Sequence, residues 1–278
     1  MAVARRRLDL RKTLFLLPNM ITLSSIFCGF DSIRLSGGAI AESNDYYRAS
    51  LLLVYALFFD LIDGRVARLT KTQSAFGLQI DSLADMISFG IAPALLVYKW
   101  SLFHASTLGL VIAFAFAAAG AVRLARFNVL SMGESGAPKK PSKYIIGLPV
   151  PGAAGILVSL IVANHAIGGD LASERYVGPM MGLVAFLAFL QISTIRFRSF
   201  KDLALNARTA GLVLFAVVSS AIVSVKTKPA FVLVWLLSFY ILIGLVEAVA
   251  RVPHDLAKRR RQETGSEPDP SIPPASSS

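Results

Sequence analysis

Long, uninterrupted apolar blocks dominate this chain. Residues 107–122 and 230–250 are apolar on nearly every side of a helix, whereas a surface helix of a soluble protein keeps a polar face. Hydrophobic residues make up 55% of the 278 positions and charged residues only 16%. Because a helix needs about 20 apolar residues to cross a bilayer, we predict an all-α, polytopic membrane helical bundle. The spans are expected near residues 16–37, 46–66, 80–99, 106–128, 148–167, 177–195, 209–225 and 230–250.

The basic residues lie mostly in short segments between these apolar blocks. A net charge of +11 would suit a nucleic-acid-binding protein, but this distribution is the one that the positive-inside rule describes. With an even number of spans both termini lie on one side, and 22 of the 28 Lys and Arg residues fall on that side. We therefore expect cytoplasmic termini and no nucleic-acid partner.

The two ends of the chain differ from the apolar blocks. Residues 1–13 carry five basic side chains beside several leucines. They predict either a cytoplasmic interfacial segment that contacts anionic membrane lipids or a topology signal with no further role. Residues 258–278 begin with a basic run and continue with a polar stretch rich in proline and serine, which has little to bury. We expect a disordered cytoplasmic tail there.

Four aspartates within 26 residues are the strongest functional signal. Asp60 and Asp63 are spaced i,i+3, and Asp81 and Asp85 are spaced i,i+4, so each pair projects from one face of its helix. A charged side chain within a span costs about 3 kcal/mol, and such residues usually have a function. The short connection makes the two helices antiparallel neighbours, so all four carboxylates can meet near the cytoplasmic face.

Divalent cations would offset the repulsion among four carboxylates. The chain has one cysteine and three widely spaced histidines, so oxygen atoms are the available ligands. Oxygen ligands favour Mg²⁺ or Mn²⁺, and four aspartates can hold two ions, as in two-metal phosphoryl-transfer sites. Arg68 offers positive charge to phosphate oxygens, while Gly64 and Gly77 let a substrate approach the backbone closely. The alternative is an ion-pair network that only orients helices.

The spacing of these residues resembles the signature of the CDP-alcohol phosphatidyltransferase family, D-x2-D-G-x2-A-R-x8-G-x3-D-x3-D. The fixed positions are matched by Asp60, Asp63, Gly64, Ala67, Arg68, Gly77, Asp81 and Asp85. Softer similarity to bacterial members that use serine covers residues 17–30, 82–98, 123–128 and 147–155. The resemblance implies a six-helix catalytic core at 14–200, with two additional spans at 201–257. It also implies a bacterial inner-membrane location with a cytoplasmic active site.

The resemblance implies an activity and roles for the matched residues. The implied reaction moves a phosphatidyl group from CDP-diacylglycerol to L-serine and releases CMP. All four aspartates would bind metal, and Asp85 would also be the general base. Gly64, Arg68, Ser74 and Gly77 would contact the CDP moiety, although Ser74 could instead cap a loop. Homodimer formation is compatible with the family, and no sequence feature favours or opposes it.

Four further polar residues near span ends are candidates for substrate contacts. Asn19 and Thr22 in the first span are expected to line the cytidine pocket, but ordinary hydrogen bonds between helices explain them equally well. Arg123 and Arg126, spaced i,i+3 in the fourth span, are expected to bind the serine carboxylate or a lipid phosphate. The alternative for this pair is anchoring at the cytoplasmic face.

Other functions that use intramembrane aspartates predict different positions for the acidic residues. A cation or proton transporter would more naturally have them near the bilayer midplane, in two related halves. An intramembrane prenyltransferase would have acidic motifs in two distant segments, whereas this chain has one block. Within the family, the acceptor could also be glycerol 3-phosphate or inositol phosphate, which the aspartate motif does not distinguish.

Overall fold

Helices make up nearly all of the part of the chain that the structure describes. The computed structural model describes residues 10–38, 41–70, 74–131, 144–198, 219–220, 223, 228–244 and 246. Its α-helices are α1 (Leu10–Ser36), α2 (Ser43–Leu69), α3 (Ala75–Asp85), α4 (Ala92–Trp100), α5 (Ser106–Ser131), α6 (Val150–Ile167), α7 (Val177–Ile192) and α8 (Ala230–Gly244). A π-helical turn joins α3 to α4, and short 3₁₀ helices precede α5 and α7; their ranges are Met86–Ile91, Leu102–Ala105 and Glu174–Tyr176.

Several of these helices are long enough to cross a membrane. Four helical segments meet both the length and the apolar composition that a span requires: Ala75–Trp100, Leu102–Leu130, Val150–Ile167 and Glu174–Ile192. Helices α1 and α2 have 27 residues each, which corresponds to about 40 Å, but they carry more charged residues. The predicted polytopic helical membrane bundle is confirmed.

The helices match the first six expected spans closely. The span expected at 80–99 corresponds to α3, the π turn and α4 together, and the others to α1, α2, α5, α6 and α7. The last expected span, 230–250, begins as α8. Of the span expected at 209–225, only residues 219, 220 and 223 are described. Residues 1–9 of the basic segment and the whole tail at 258–278 lie outside the described residues.

The apolar core lies among the helices of the C-terminal part of the bundle. Helix α5 packs against α7, and α6 packs against α2 and the π turn. The largest side chains with less than 2% exposure there come from α4 to α7 and include Leu96, Phe116, Leu157, Ile161, Leu187 and Leu190. Helix α1 packs along α2 and also contacts α3 and the π turn. Helix α1 also packs against α4, and α2 contributes Ala49 and Leu53 to the apolar core, so the aspartate-bearing α2 is anchored in that core.

One pair of strands interrupts the helical pattern. Strands β1 (Tyr144–Ile146) and β2 (Arg196–Arg198) are antiparallel, with Ile145 opposite Phe197. After β1 the chain turns at Gly147, whose φ of 75° lies in the region that favours glycine. A β-carbon at Gly147 would also lie 2.3 Å from the carbonyl oxygen of Gln191, so the position has no room for a side chain. The strand pair ties the start of α6 to the end of α7 and was not foreseen from the sequence.

Candidate metal and substrate site

Helices α2 and α3 carry the two aspartate pairs and follow each other closely along the chain. Helix α2 ends at Leu69, where the Thr70 hydroxyl donates to the carbonyl oxygen of Val66 (2.8 Å). Helix α3 begins after Ser74, whose hydroxyl oxygen accepts the backbone N–H of Gly77 (3.0 Å). This is the arrangement of an N-cap, which satisfies a backbone donor that the helix itself leaves free. The cap fixes the start of α3, and only residues 70–74 separate this helix from α2.

Three of the four aspartates form a tight cluster. One carboxylate oxygen from each of Asp60, Asp63 and Asp81 lies within 4.8 Å of the other two. Asp63 is buried, with 4% of its surface exposed, while Asp60 and Asp81 are partly buried. The expected convergence of acids from α2 and α3 is therefore present.

The donor atoms of this cluster fit a hard divalent cation. Mg²⁺ and Mn²⁺ prefer oxygen ligands, and Mg²⁺ holds them at about 2.1 Å in an octahedron, so ligand oxygens lie roughly 3 to 4 Å apart. The spacing within 4.8 Å needs only a small contraction to reach that geometry. The three carboxylates are thus a suitable set for a Mg²⁺ or Mn²⁺ ion.

Asp85 lies beside the cluster, at the C-terminal end of α3. The side chain of Asp85 lies within hydrogen-bonding distance of that of Asp60. The charges of Asp60, Asp81 and Arg123 all act on Asp85. Asp85 therefore has both acidic neighbours and a cationic neighbour from α5.

Thr22 contributes to the cluster from α1. Its hydroxyl oxygen lies 2.7 Å from Oδ2 of Asp63 and 3.0 Å from the carbonyl oxygen of Pro18. Both Thr22 and Asp63 are 4% exposed, so this hydrogen bond is shielded from solvent. Hydrogen bonds to a metal-binding carboxylate fix its orientation. Thr22 was expected in the cytidine pocket, with an ordinary hydrogen bond between helices as the alternative. In the structure its hydroxyl bonds to Asp63 and so links α1 to α2.

The other residues expected at the CDP moiety lie close to the aspartates. Gly64 and Arg68 are on α2, and a β-carbon at Gly64 would lie 3.8 Å from an Nη atom of the exposed Arg68. Gly77 is in the first turn of α3, where a β-carbon would lie 3.2 Å from the Ser74 hydroxyl and 4.0 Å from Oδ1 of Asn19. The five residues therefore lie on α1, in the C-terminal part of α2 and at the start of α3.

The two arginines of α5 have different surroundings. Arg123 is only 6% exposed, and its Nε has no hydrogen-bond partner among the described residues. Arg126 instead donates to backbone carbonyl oxygens of Ile146, Gln191, Ile192 and Ser193, at 3.1 to 3.4 Å. Cationic side chains stabilise helix C-termini in this way. Arg126 therefore holds the end of α7 beside β1, whereas Arg123 faces Asp85.

One polar contact and one buried polar side chain next to α5 were not predicted from the sequence. The Ser82 hydroxyl lies 3.0 Å from Oδ1 of Asn128 and links α3 to α5. Gln191 of α7 is fully buried, and a β-carbon at Gly120, one turn before Arg123, would lie 3.3 Å from its Oε1. Polar residues within apolar blocks were the available signal for both, but the sequence does not say which helices face each other.

Comparison with known proteins supports the same family. A sequence model described as CDP-alcohol phosphatidyltransferase matches residues 15–191, more than half of the chain. A Helicobacter pylori strain J99 protein named CDP-diacylglycerol–serine O-phosphatidyltransferase is 35% identical over 236 residues, which are 84% of this chain and 91% of that protein.

Two further relatives carry the same name. The Bacillus subtilis protein is 30% identical over 66% of this chain and 91% of its own length. The Methanocaldococcus jannaschii protein is 40% identical over 44% of this chain and 56% of its own length. The range matched by the family model contains all four aspartates. The chain therefore belongs to the CDP-alcohol phosphatidyltransferase family, as the spacing of its aspartates predicted.

Proposed function

We propose that this protein transfers a phosphatidyl group from CDP-diacylglycerol to L-serine and releases CMP. The observation that carries the proposal is the convergence of Asp60, Asp63 and Asp81, with Asp85 beside them, in a chain that belongs to this family. The choice of serine is supported by the name shared by relatives that align with most of the chain. The product would be phosphatidylserine, a membrane phospholipid.

Asp60, Asp63, Asp81 and Asp85 are proposed to hold Mg²⁺ or Mn²⁺, most simply as two ions. Bound divalent cations would neutralise the pyrophosphate of CDP-diacylglycerol and make CMP a better leaving group. Thr22 is then a residue that orients Asp63 through its 2.7 Å hydrogen bond rather than a contact of the cytidine ring.

Asp85 is proposed as the general base. It accepts the proton of the serine hydroxyl, the serine oxygen forms a bond to the lipid-side phosphorus, and the bond from that phosphorus to the CMP oxygen breaks. Its position supports this role, because Asp85 ends α3 next to Asp60 and Asp81 and also faces Arg123. The same side chain can therefore reach both the metal site and an incoming acceptor.

The ends of α1 to α3 are proposed to bind the CDP moiety. Arg68 is exposed and carries the positive charge that phosphate oxygens attract, while Gly64 and Gly77 leave space beside the backbone. Asn19 lies next to Gly77 and offers an amide to the nucleotide. The hydroxyl of Ser74 accepts an N–H of its own helix, so its contact with substrate would be secondary.

Arg123 is the better candidate of the two α5 arginines for the serine carboxylate. Its guanidinium is buried beside Asp85 and keeps donor capacity at Nε within the described part of the structure. Arg126 is occupied by backbone carbonyl oxygens at the end of α7. A lipid phosphate at Arg126 would have to displace those contacts.

The protein is proposed to act at the cytoplasmic side of a bacterial inner membrane. The excess of Lys and Arg on the side of the termini supports this orientation, and in this topology the segment between α2 and α3 belongs to that side. Residues 1–13, with five basic side chains, are proposed to contact anionic lipids near the site. A lipid-anchored pyrophosphate and a water-soluble acceptor can meet there.

The acceptor is tested with the purified protein in detergent. CMP release from CDP-diacylglycerol is measured with Mg²⁺ or Mn²⁺ and with L-serine, glycerol 3-phosphate or inositol phosphate in parallel. We expect serine to accelerate release at least about tenfold more than either phosphorylated alcohol. Faster release with another alcohol, or release that does not depend on any acceptor, would show that serine is not the substrate.

The two arginines are separated by comparing Arg123→Gln with Arg126→Gln in the same assay. Loss of a charged hydrogen bond to the serine carboxylate should raise the KM for serine about tenfold or more in Arg123→Gln. Arg126→Gln should mainly lower the thermal denaturation midpoint, because it removes a cap from α7. A larger rise in KM for serine in Arg126→Gln would reverse the assignment.

A further inference from the structure

The helix that carries Asp81 and Asp85 changes its winding directly after Asp85. Helix α3 ends at Asp85, the π turn occupies Met86–Ile91, and α4 continues from there. A π turn inserts about one extra residue, so it rotates the residues beyond it by roughly 100° relative to a continuous α-helix. Leu96 on α4 is fully buried in the apolar core, which fixes the orientation of that helix. The π turn therefore decides in which direction Asp85 projects.

Ser88 ties this turn to α1 through hydrogen bonds. The Ser88 hydroxyl donates to the backbone carbonyl oxygen of Ser25 (2.9 Å). The Ser25 hydroxyl in turn lies 3.3 Å from the Ser88 oxygen and 3.3 Å from the carbonyl oxygen of Ala56 on α2. All three residues are at most 1% exposed, so no solvent competes for these bonds. One buried polar junction thus connects α1, α2 and the π turn.

Glycines allow the neighbouring helices to approach the turn closely. A β-carbon at Gly29 of α1 would lie 2.8 Å from the Ser88 hydroxyl oxygen and 2.9 Å from its Cα. On the opposite side, a β-carbon at Gly120 of α5 would lie 3.8 Å from the Cα of Gly90. The contact between Gly29 and Ser88 leaves no space for a methyl group. The contact between Gly120 and Gly90 is at an ordinary van der Waals distance. The turn is therefore enclosed by α1 and α5.

We propose that Ser88 is a positioning residue: its hydrogen bonds to Ser25 hold the π turn that points Asp85 toward the metal cluster. The inference rests on the proposed function, because it assigns Asp85 the role of base and ligand. A π turn leaves backbone groups poorly paired and is rare, so it needs contacts from its surroundings to persist. Without the Ser88 hydroxyl, the helix would be free to rewind and rotate Asp85 away from Asp60.

The first experiment compares Ser88→Ala with Ser159→Ala in the purified full-length protein. Ser159 is a matched control, because it is equally buried but its hydroxyl bonds only within α6, to the carbonyl oxygen of Ile156 (2.9 Å). Ser88→Ala should lower the kcat of CMP release about 10- to 100-fold with the KM for CDP-diacylglycerol unchanged. Ser159→Ala should keep both values. Equal kcat in the two variants would overturn the proposal.

Two further α1 variants test the same junction from the other side. Gly29→Ala places a methyl group against the Cα of Ser88 and should lower kcat as strongly as Ser88→Ala does, although the hydroxyl remains. Ser25→Ala keeps the carbonyl oxygen that accepts from Ser88, so its kcat should fall by only about threefold. A normal kcat in Gly29→Ala, or a larger loss in Ser25→Ala than in Ser88→Ala, would contradict the proposed geometry.

Rescue and metal binding separate positioning from general damage to the fold. In Ser88→Cys the thiol is only slightly larger than the hydroxyl and is still a weak donor. The kcat of this variant should therefore lie between those of Ser88→Ala and the unaltered protein. Ser88→Ala should also weaken Mn²⁺ binding several-fold, measured by electron paramagnetic resonance of the free ion, whereas Ser159→Ala should not.

The Mn²⁺ titration does not require turnover. If the unaltered protein shows no acceptor-dependent CMP release, the proposed function fails, and the Mn²⁺ affinities of the two variants still decide the role of Ser88. If the unaltered protein is active but Ser88→Ala matches it in both kcat and Mn²⁺ affinity, only the positioning role fails.

Discussion

The aspartate-bearing part of the bundle and its C-terminal part are held together by different interactions. Around α1, α2 and α3, buried hydroxyl groups cross between helices, as in the Thr22–Asp63 and Ser88–Ser25 bonds. Among α4 to α7 most buried side chains are apolar, with Phe116 and Leu157 among the fully buried ones, and the polar contacts of Arg126 lie at the end of α7. Lipid is as apolar as leucine, so the second part gains from close packing rather than from escape from water.

This difference separates orientation from stability. Hydrogen bonds are directional, so the polar part can hold a carboxylate in one rotamer, while apolar packing resists cavities but tolerates small rotations. Substitutions in the polar part should therefore change chemistry and metal binding. Substitutions in the apolar part should change the stability of the folded bundle.

The largest effect is expected at Asp85. Asp85→Asn keeps the size of the side chain but removes the proposed base, so the kcat of serine-dependent CMP release should fall about 10²- to 10⁴-fold. Binding of CDP-diacylglycerol should persist, which isothermal titration of the variant checks. Turnover close to that of the unaltered protein would remove Asp85 from the mechanism.

The next largest effect should be one of stability, at Leu157. This side chain of α6 is 1% exposed, and Leu157→Ala should lower the free energy of unfolding by about 2 to 5 kcal/mol because it leaves a cavity. The denaturation midpoint in detergent measures the loss, and the KM for serine should stay constant. The matched control is Phe189→Ala at a side chain that is 60% exposed. Equal losses in both variants would contradict the assignment of the core.

A smaller effect is expected from Thr22→Val, which keeps the shape of the side chain but removes the hydrogen bond to Asp63. Loss of such a contact to a metal ligand costs about 10- to 100-fold in metal affinity. Mn²⁺ titration should show the change, kcat at saturating Mn²⁺ should change less, and Thr22→Ser should behave like the unaltered protein. Unchanged Mn²⁺ affinity in Thr22→Val would show that Thr22 does not contribute to metal binding.

The smallest effect is expected at an ion pair away from the aspartates. Arg34 donates to Asp31 at 2.6 Å within α1, but 61% of the Arg34 side chain is exposed. Exposed pairs contribute about 0 to 1 kcal/mol, so Arg34→Ala should barely shift the denaturation midpoint at any salt concentration. A loss as large as that of Leu157→Ala would mean that polar contacts stabilise this bundle as strongly as apolar packing does.

The sequence was sufficient for the features that depend on local patterns. Apolar block lengths predicted α5 and α6 to within three residues at each end, and the signature spacing predicted that Asp60, Asp63 and Asp81 would converge. Both follow from helix geometry over short distances along the chain, where the position of one residue determines that of the next.

Features that depend on which helices face each other were not predictable in this way. The π turn after Asp85 is stabilised by contacts with α1, more than 50 residues earlier in the chain. The difference between Arg123 and Arg126 depends on where α7 ends, although both arginines have the same type and similar spacing from the aspartates. Side-chain identity shows what a residue can bind, and only the packing shows what it does bind.

The strand pair has a consequence for biosynthesis. The backbone N–H of Gly147 donates to the carbonyl oxygen of Ile195 (2.8 Å), and that of Leu148 donates to Leu190 (2.9 Å). The base of the α6–α7 hairpin therefore acquires these partners only after Leu190 and Ile195 have left the ribosome. Until then, Arg126 also lacks its acceptors at the end of α7. These contacts at the base of the hairpin therefore cannot form until synthesis has passed the end of α7.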